Sequence, residues 1–226
     1  SPKIIDPDLD EDGIINNDEV WHQDCPQEAP EIRMVDVGDV TLNVACQGSG
    51  PTLILLHGFP EFWYSWQKTM NELAGSYRLI APDQRGYNVS DKPTEISAYE
   101  SATLVSDISQ LIPLVSADPV VIVGHDWGGP IAWGVAHENP NTVRMMISAN
   151  GPHPDIMTNL ITTDPEQQEA SIYVDFFVQE GSEEMLIAND CAMLDSFFDG
   201  ILNEEELEIY HDAWLQEDAI KSGLHW

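Results

Sequence analysis

Apolar residues along positions 31–151 fall into short runs divided by turn residues. Ile32–Val37 and Thr41–Gln47 flank Gly38-Asp39, which predicts an antiparallel hairpin. Thr52–Leu56 is a continuous apolar run, the mark of a strand buried on both faces. Tyr77–Ala81, Val120–Val123 and Val143–Ser148 read as further strands. Between them the period changes to that of helices. Glu61–Leu73 places Trp63, Trp66, Met70 and Leu73 on one side, and Ala98–Ile112 does the same with Leu104, Val105, Ile108, Leu111 and Ile112. Pro113 is expected to end or kink that helix. A third helix runs from Gly128 to about Asn139. Strands alternating with helices predict an α/β fold, a mostly parallel sheet covered on both faces. From Pro152 the strand pattern stops. Glu169–Phe177, Ser182–Asn189, Cys191–Phe198 and Glu204–Trp214 read as helices only, so a helical cap is expected after the sixth core strand. The expected division is an acidic segment and linker at 1–30, a core at 31–151 and a cap at 152–226.

Composition narrows the function classes. The chain has 226 residues, with 40 acidic against 8 basic side chains and a formal charge of −32. A basic face able to hold a phosphate backbone is implausible, which excludes nucleic acid as a partner, and anionic membrane surfaces fail for the same reason. No run of about 18 apolar residues is present to span a bilayer. Three cysteines, Cys25, Cys46 and Cys191, are too few for a disulfide framework, so the fold is expected to rest on packing. The acidity is spread along the whole chain. Such a surface stays hydrated at high ionic strength, which points to a saline or extracellular setting; plain solubility in a cytoplasm remains an equal reading.

The segment Gly124-His125-Asp126-Trp127-Gly128-Gly129 follows a buried strand and opens a helix. It has the form G-x-nucleophile-x-G, with Asp where many hydrolases carry Ser. A strand that turns at once into a helix strains its central residue, and bulky neighbours would clash there. An ionised Asp at that position attacks an sp3 carbon without needing a base, giving an ester of Asp126. The bland alternative is an Asp that caps the helix. Upstream, Leu56-His57-Gly58-Phe59-Pro60 also follows a buried strand. The backbone N–H groups of Phe59 and Trp127 are the expected oxyanion hole. His57 is expected to brace the loop. Asp83 and Arg85, in Asp83-Gln84-Arg85-Gly86-Tyr87, are expected to support it as an ion pair.

These motifs, in this order, resemble the α/β-hydrolase superfamily, and within it the epoxide hydrolases, over about residues 32–226. The resemblance implies a cap tyrosine that protonates the opening epoxide. Ser171-Ile172-Tyr173-Val174-Asp175-Phe176-Phe177 is similar to the family's first cap-tyrosine segment and makes Tyr173 the candidate. A second tyrosine usually follows a Leu-x-Trp segment, which Leu224-His225-Trp226 matches. The family's His base and its acidic partner lie after the cap and have no counterpart here, so the chain is expected to be a fragment that cannot turn over alone. His153 reads as a hinge residue. The implied partner is a small-molecule epoxide, or an alkyl halide if the chain is instead of the haloalkane dehalogenase type. Phe59 argues against that rival, since those enzymes commonly carry Asn there, while the Trp127 indole suits it.

The acidic segment carries its own motif. Asp8, Asp10, Asp12, Asn16 and Glu19, with the carbonyl of Ile14 and a turn at Gly13, match a twelve-position calcium loop at every ligand position. Pro2 and Pro7 leave no room for an entering helix, so the loop resembles the calcium repeats of thrombospondin type 3 or dockerin kind. Ca2+ is the one cofactor this implies, none being needed for catalysis. A reading of another class follows from it: a secreted, calcium-stabilised interaction module whose hydrolase core is non-catalytic.

Overall fold

The structure, a computed structural model, describes residues 14–15 and 20–226. In chain order the strands are β1 (Ile14–Ile15), β2 (Glu31–Asp36), β3 (Thr41–Gln47), β4 (Thr52–Leu56), β5 (Arg78–Pro82), β6 (Val120–His125) and β7 (Val143–Ala149). The core helices are α1 (Gln67–Leu73), entered through a 3-10 turn at Trp63–Trp66, α2 (Ser101–Val115) and α3 (Gly128–Glu138). The cap follows as α4 (Pro154–Thr163), α5 (Pro165–Ala170), α6 (Tyr173–Phe177), α7 (Ser182–Phe197), α8 (Glu204–Trp214) and α9 (Ala219–Gly223). The sheet order is β1-β2-β3-β5-β4-β6-β7. β2 and β3 form the antiparallel hairpin, and β5, β4, β6 and β7 run parallel.

Alternation along the strands divides the core into two layers. Leu53, Leu55, Val121 and Val123 pack with Met70 of α1 on one face. Ile54, Leu56, Val120 and Ile122 pack with Ile108, Leu111 and Ile131 of α2 and α3 on the other. The chain leaves β4 toward one face and β6 toward the other. Their carboxyl ends therefore border a crevice at a topological switch point, the position where open α/β sheets bind ligands.

Several expectations change. The 61–73 segment is a 3-10 turn followed by a short α-helix, and 169–177 breaks into α5 and α6. The spacing gave no sign of α4, which uses Pro154 at its first position and the His153 ring as its cap, accepting from the Asp155 N–H at 3.2 Å. Pro113 does not end its helix, which runs on to Val115. The reason lies in the N-terminal segment. The last carbonyls of α2 are satisfied from outside: Leu114 O accepts from the Trp21 N–H at 2.6 Å, Val115 O from the Arg78 guanidinium, and Pro113 O lies 2.8 Å from His22 Nε2.

The same segment overturns the reading of the cysteines. Cys25 and Cys46 form a disulfide with Cα atoms 5.8 Å apart, leaving Cys191 free and buried. Backbone bonds pair Cys25 N–H with Gly48 O and Gly48 N–H with Pro26 O, each at 3.0 Å, and bring the linker to the end of β3. The described part of residues 1–30 is thus packed on the core. Ile15 and Trp21 are each 1% exposed, and Arg33 lies over the Trp21 ring at 4.6 Å.

Candidate active site

Asp126 stands between β6 and α3 with φ of +51°, a left-handed conformation that L-residues rarely adopt. The glycines two residues to either side of it leave no room for a side chain. A Cβ on Gly124 would lie 2.2 Å from Gly128 O, and one on Gly128 would lie 2.5 Å from Leu56 O. A Cβ on Gly58 would lie 2.3 Å from Asp126 Oδ1 itself. The carboxylate does not cap α3, which has no side-chain cap. Instead Oδ1 accepts the Phe59 N–H at 3.1 Å. The Trp127 N–H makes no such bond to the carboxylate.

The β4 loop that presents Phe59 is braced from below. His57 is fully buried; its Nδ1 lies 2.9 Å from Gly58 O and its Nε2 accepts the Gln84 N–H at 3.1 Å. Burial lowers its pKa to about 4, so the ring is neutral and serves as a strut. Asp83 and Arg85 both support the loops, but as separate pieces, correcting the expected pair. Asp83 accepts from Trp63 N–H at 2.7 Å and from the side-chain amides of Asn43 and Asn88 at 2.7 and 2.8 Å. Arg85 forks onto Asp107 of α2 at 2.7 and 2.8 Å. Asp107, 22 residues on, reaches Arg85 because α2 packs back across the sheet.

A cavity of about 700 Å3 opens above Asp126, between core and cap. Phe59, Trp127 and Tyr173 line it with Asp126, so the four residues expected to act together share one space. Its walls are otherwise mainly aromatic and aliphatic, with Phe177, Phe197 and Leu202 from the cap. Tyr173, on α6, stacks edge-on against Phe177 at 5.6 Å. Burial first, and the Asp126 charge second, push its phenol above the ordinary range, so it stays protonated at neutral pH. The cap is seated on the β4 loop by the Trp214 indole, which donates to Pro60 O at 2.7 Å.

One pair at this wall was not foreseen. His125 Nδ1 lies 2.9 Å from Glu61 Oε2, and that hydrogen bond raises the imidazole pKa. The two are 64 residues apart, yet each adjoins a motif that was read: Glu61 follows Pro60 and His125 precedes Asp126. Of the calcium-loop residues, Ile14 lies in β1; Asp8, Asp10, Asp12, Asn16 and Glu19 lie outside the described residues. Among the described residues no group of three acidic, His or Cys side chains could hold a metal ion, and no helix is long and apolar enough to cross a membrane.

Comparison with known proteins bears on this geometry. A family model described as an alpha/beta hydrolase fold matches residues 51–186. An AB hydrolase superfamily protein of Bacillus subtilis (strain 168), YfhM, is 38% identical over 203 residues, covering 86% of this chain and 71% of that one. Epoxide hydrolase 1 of Caenorhabditis elegans is 38% identical over 174 residues, covering 76% of this chain and 43% of the relative. A crystal structure of an epoxide hydrolase from Bacillus megaterium in complex with an inhibitor is similar at a TM-score of 0.79 and 29% identity, covering 85% of this chain and 71% of that one. The chain therefore spans about half the length of the animal epoxide hydrolases it matches.

Proposed function

The chain belongs to the α/β-hydrolase fold family, and on that premise we propose that it opens epoxides by forming an ester of Asp126. The observation that carries this reading is the Asp126 carboxylate, raised on its strained turn, with one oxygen on the Phe59 N–H and the cavity above it. With Oδ1 so occupied, Oδ2 is the attacking oxygen. It forms a bond to an epoxide carbon while that carbon's bond to the ring oxygen breaks. The electron pair goes to the ring oxygen, which takes the Tyr173 phenol proton. Solvent returns a proton to Tyr173. The ester carbonyl is then Oδ1, already at the Phe59 amide. Water attack at the carbonyl carbon builds negative charge there, and the unpaired Trp127 N–H is the second donor to receive it. Release of the alkoxide with a proton yields the diol and restores the carboxylate.

That second step needs a base for the water. Among the described residues, the histidine on the cavity wall is His125, whose Nδ1 is held by Glu61. We propose that the 226-residue chain stops at the ester or leaves it slowly. Intact-mass measurement after mixing with styrene oxide tests both parts. The expected result is a gain of one substrate mass that persists, mapped to Asp126 and absent in Asp126→Asn. No adduct sinks the ester reading and favours a non-catalytic module; rapid multiple turnover sinks the stalled step. The exposed Trp127 indole on the cavity wall favours a second substrate class, alkyl halides; halide release in place of diol identifies it.

For the N-terminal loop the proposed cofactor is Ca2+. Five side-chain oxygen donors and one carbonyl suit a hard cation. The disulfide supports an oxidising, extracellular location. Calorimetry on the whole chain with millimolar calcium checks the loop, and an absence of binding heat removes it.

A further inference from the structure

The cavity above Asp126 has a neighbour. A groove of about 260 Å3 lies between core and cap, with Tyr64 and Asn71 on one side and Glu206 of α8 on the other. The two spaces share Ser65, Lys68, Leu202 and Tyr210, so a single partition of side chains divides them. Their chemistry differs. The cavity is mainly hydrocarbon. The groove presents a phenol, carboxamides, an ammonium and a carboxylate. Lys68 Nζ meets Glu206 Oε1 at 2.7 Å from core to cap, and Glu206 Oε2 accepts the Asn203 N–H at 3.0 Å. The Tyr64 hydroxyl has no hydrogen-bond partner among the described residues. Burial and the nearby Glu206 charge raise its pKa, so it is a protonated donor.

We propose that this groove is a subsite for the vicinal diol product, distinct from the space that takes the epoxide; it rests on the reading of Asp126 given above. An epoxide carries one acceptor oxygen and no donor. The diol carries two hydroxyls, each donor and acceptor. Hydroxyls left in the cavity face mainly hydrocarbon walls and find fewer partners than the groove offers, which is costly. Past the Leu202 and Tyr210 partition they meet the Tyr64 hydroxyl and the Lys68–Glu206 pair. The groove can pair both hydroxyls of the product as donors and acceptors, whereas the epoxide oxygen can only accept from its donors.

Styrene oxide and its diol, 1-phenylethane-1,2-diol, test the subsite apart from its premise. Two variants change residues that line the groove and not the cavity. Tyr64→Phe keeps the ring that stacks on Phe62 at 5.9 Å and meets Tyr210 at 6.2 Å. Glu206→Gln keeps the reciprocal cap that begins α8 while removing the charge. Calorimetric titration of the whole chain with the diol is expected to show saturable binding, weakened roughly five-fold in each variant. Ester formation from styrene oxide, read by intact mass, is expected to proceed at the wild-type rate in both. No diol binding to the wild type, or a dissociation constant unchanged in either variant, overturns the subsite. If the diol binds in this groove-dependent way but no ester forms, the reading of Asp126 falls instead and a diol-binding groove remains.

Discussion

The core holds Asp126 and the cap holds Tyr173, and the two are held by different means. Around Asp126 the backbone leaves no space: three glycines stand where any Cβ would come within 2.6 Å of another atom. Beneath it lie strands whose residues are buried on both faces. Tyr173 sits on a five-residue helix with no buried residue, and α4 and α5 beside it have none either. Only the deeper cap, where Leu186, Leu194, Tyr210 and Trp214 meet Phe62, has a core of its own. The contrast separates two tasks. On the proposed reading, the nucleophile needs one geometry whatever the substrate, and rigid backbone supplies it. The proposed proton donor and the apolar wall must fit a substrate, and side chains on short helices can adapt to it.

The largest effect is expected where the backbone is tightest. Gly124→Ala drives a Cβ into the Gly128 carbonyl and is expected to cost about 3 kcal/mol or more, seen as loss of the cooperative thermal transition. A comparable loss is expected at the other end of the sheet. Cys25→Ser opens the Cys25–Cys46 link and costs about 3 kcal/mol in denaturant unfolding, with Asp126 labelling by epoxide unchanged below the transition. If either substitution proves neutral, the core is not the rigid half.

These positions also show what a sequence can carry. The strand–helix alternation and the glycines around Asp126 were legible because their causes are local: period, strand length and the sterics of one turn. The Phe59 amide was legible because it lies in a His-Gly turn directly after a buried strand. Pairs set by tertiary packing were not. Arg85 meets Asp107, Glu61 meets His125, and Cys25 meets Cys46, each across 21 or more residues, and nothing in composition selects one acid among 40 or one pair among three cysteines. The run past Pro113 was hidden for the same reason, because the groups that satisfy its carbonyls come from residues 21, 22 and 78.

His57 makes the rigidity of the core visible through pH. Its folded pKa, about 4, lies below the 6.5 of an unfolded histidine. Between those values the unfolded chain binds a proton that the folded chain refuses. The stability it contributes is therefore full above pH 6.5 and is lost as pH falls toward 4, by on the order of 3 kcal/mol. The difference in unfolding free energy between wild type and His57→Gln is expected to shrink across that window; a constant difference contradicts a buried neutral ring. In the cap the expectation reverses. Tyr173→Phe leaves stability within about 0.5 kcal/mol, because the ring keeps its contact with Phe177. It slows formation of the Asp126 ester roughly hundred-fold, read by timed intact-mass sampling.

The smallest effect probes the cap's own backbone. The helix α7 is interrupted where Asn189, Asp190 and Cys191 take left-handed φ values of 51°, 60° and 62°. Cys191 is buried and its side chain fills the cap core, so it is not free to change. Asp190 is exposed. Glycine adopts its conformation without a Cβ penalty, although it gives up entropy in the unfolded chain. Asp190→Gly is therefore expected to stabilise the chain by about 0.5 kcal/mol, whereas Glu184→Gly, in the regular first turn of α7, costs about 1 kcal/mol. Opposite signs for one substitution six residues apart, measured by thermal unfolding, would mark the left-handed turn as the point where the cap stores strain. Equal losses would mean that the turn is unstrained and that the cap, like the core, is held by packing alone.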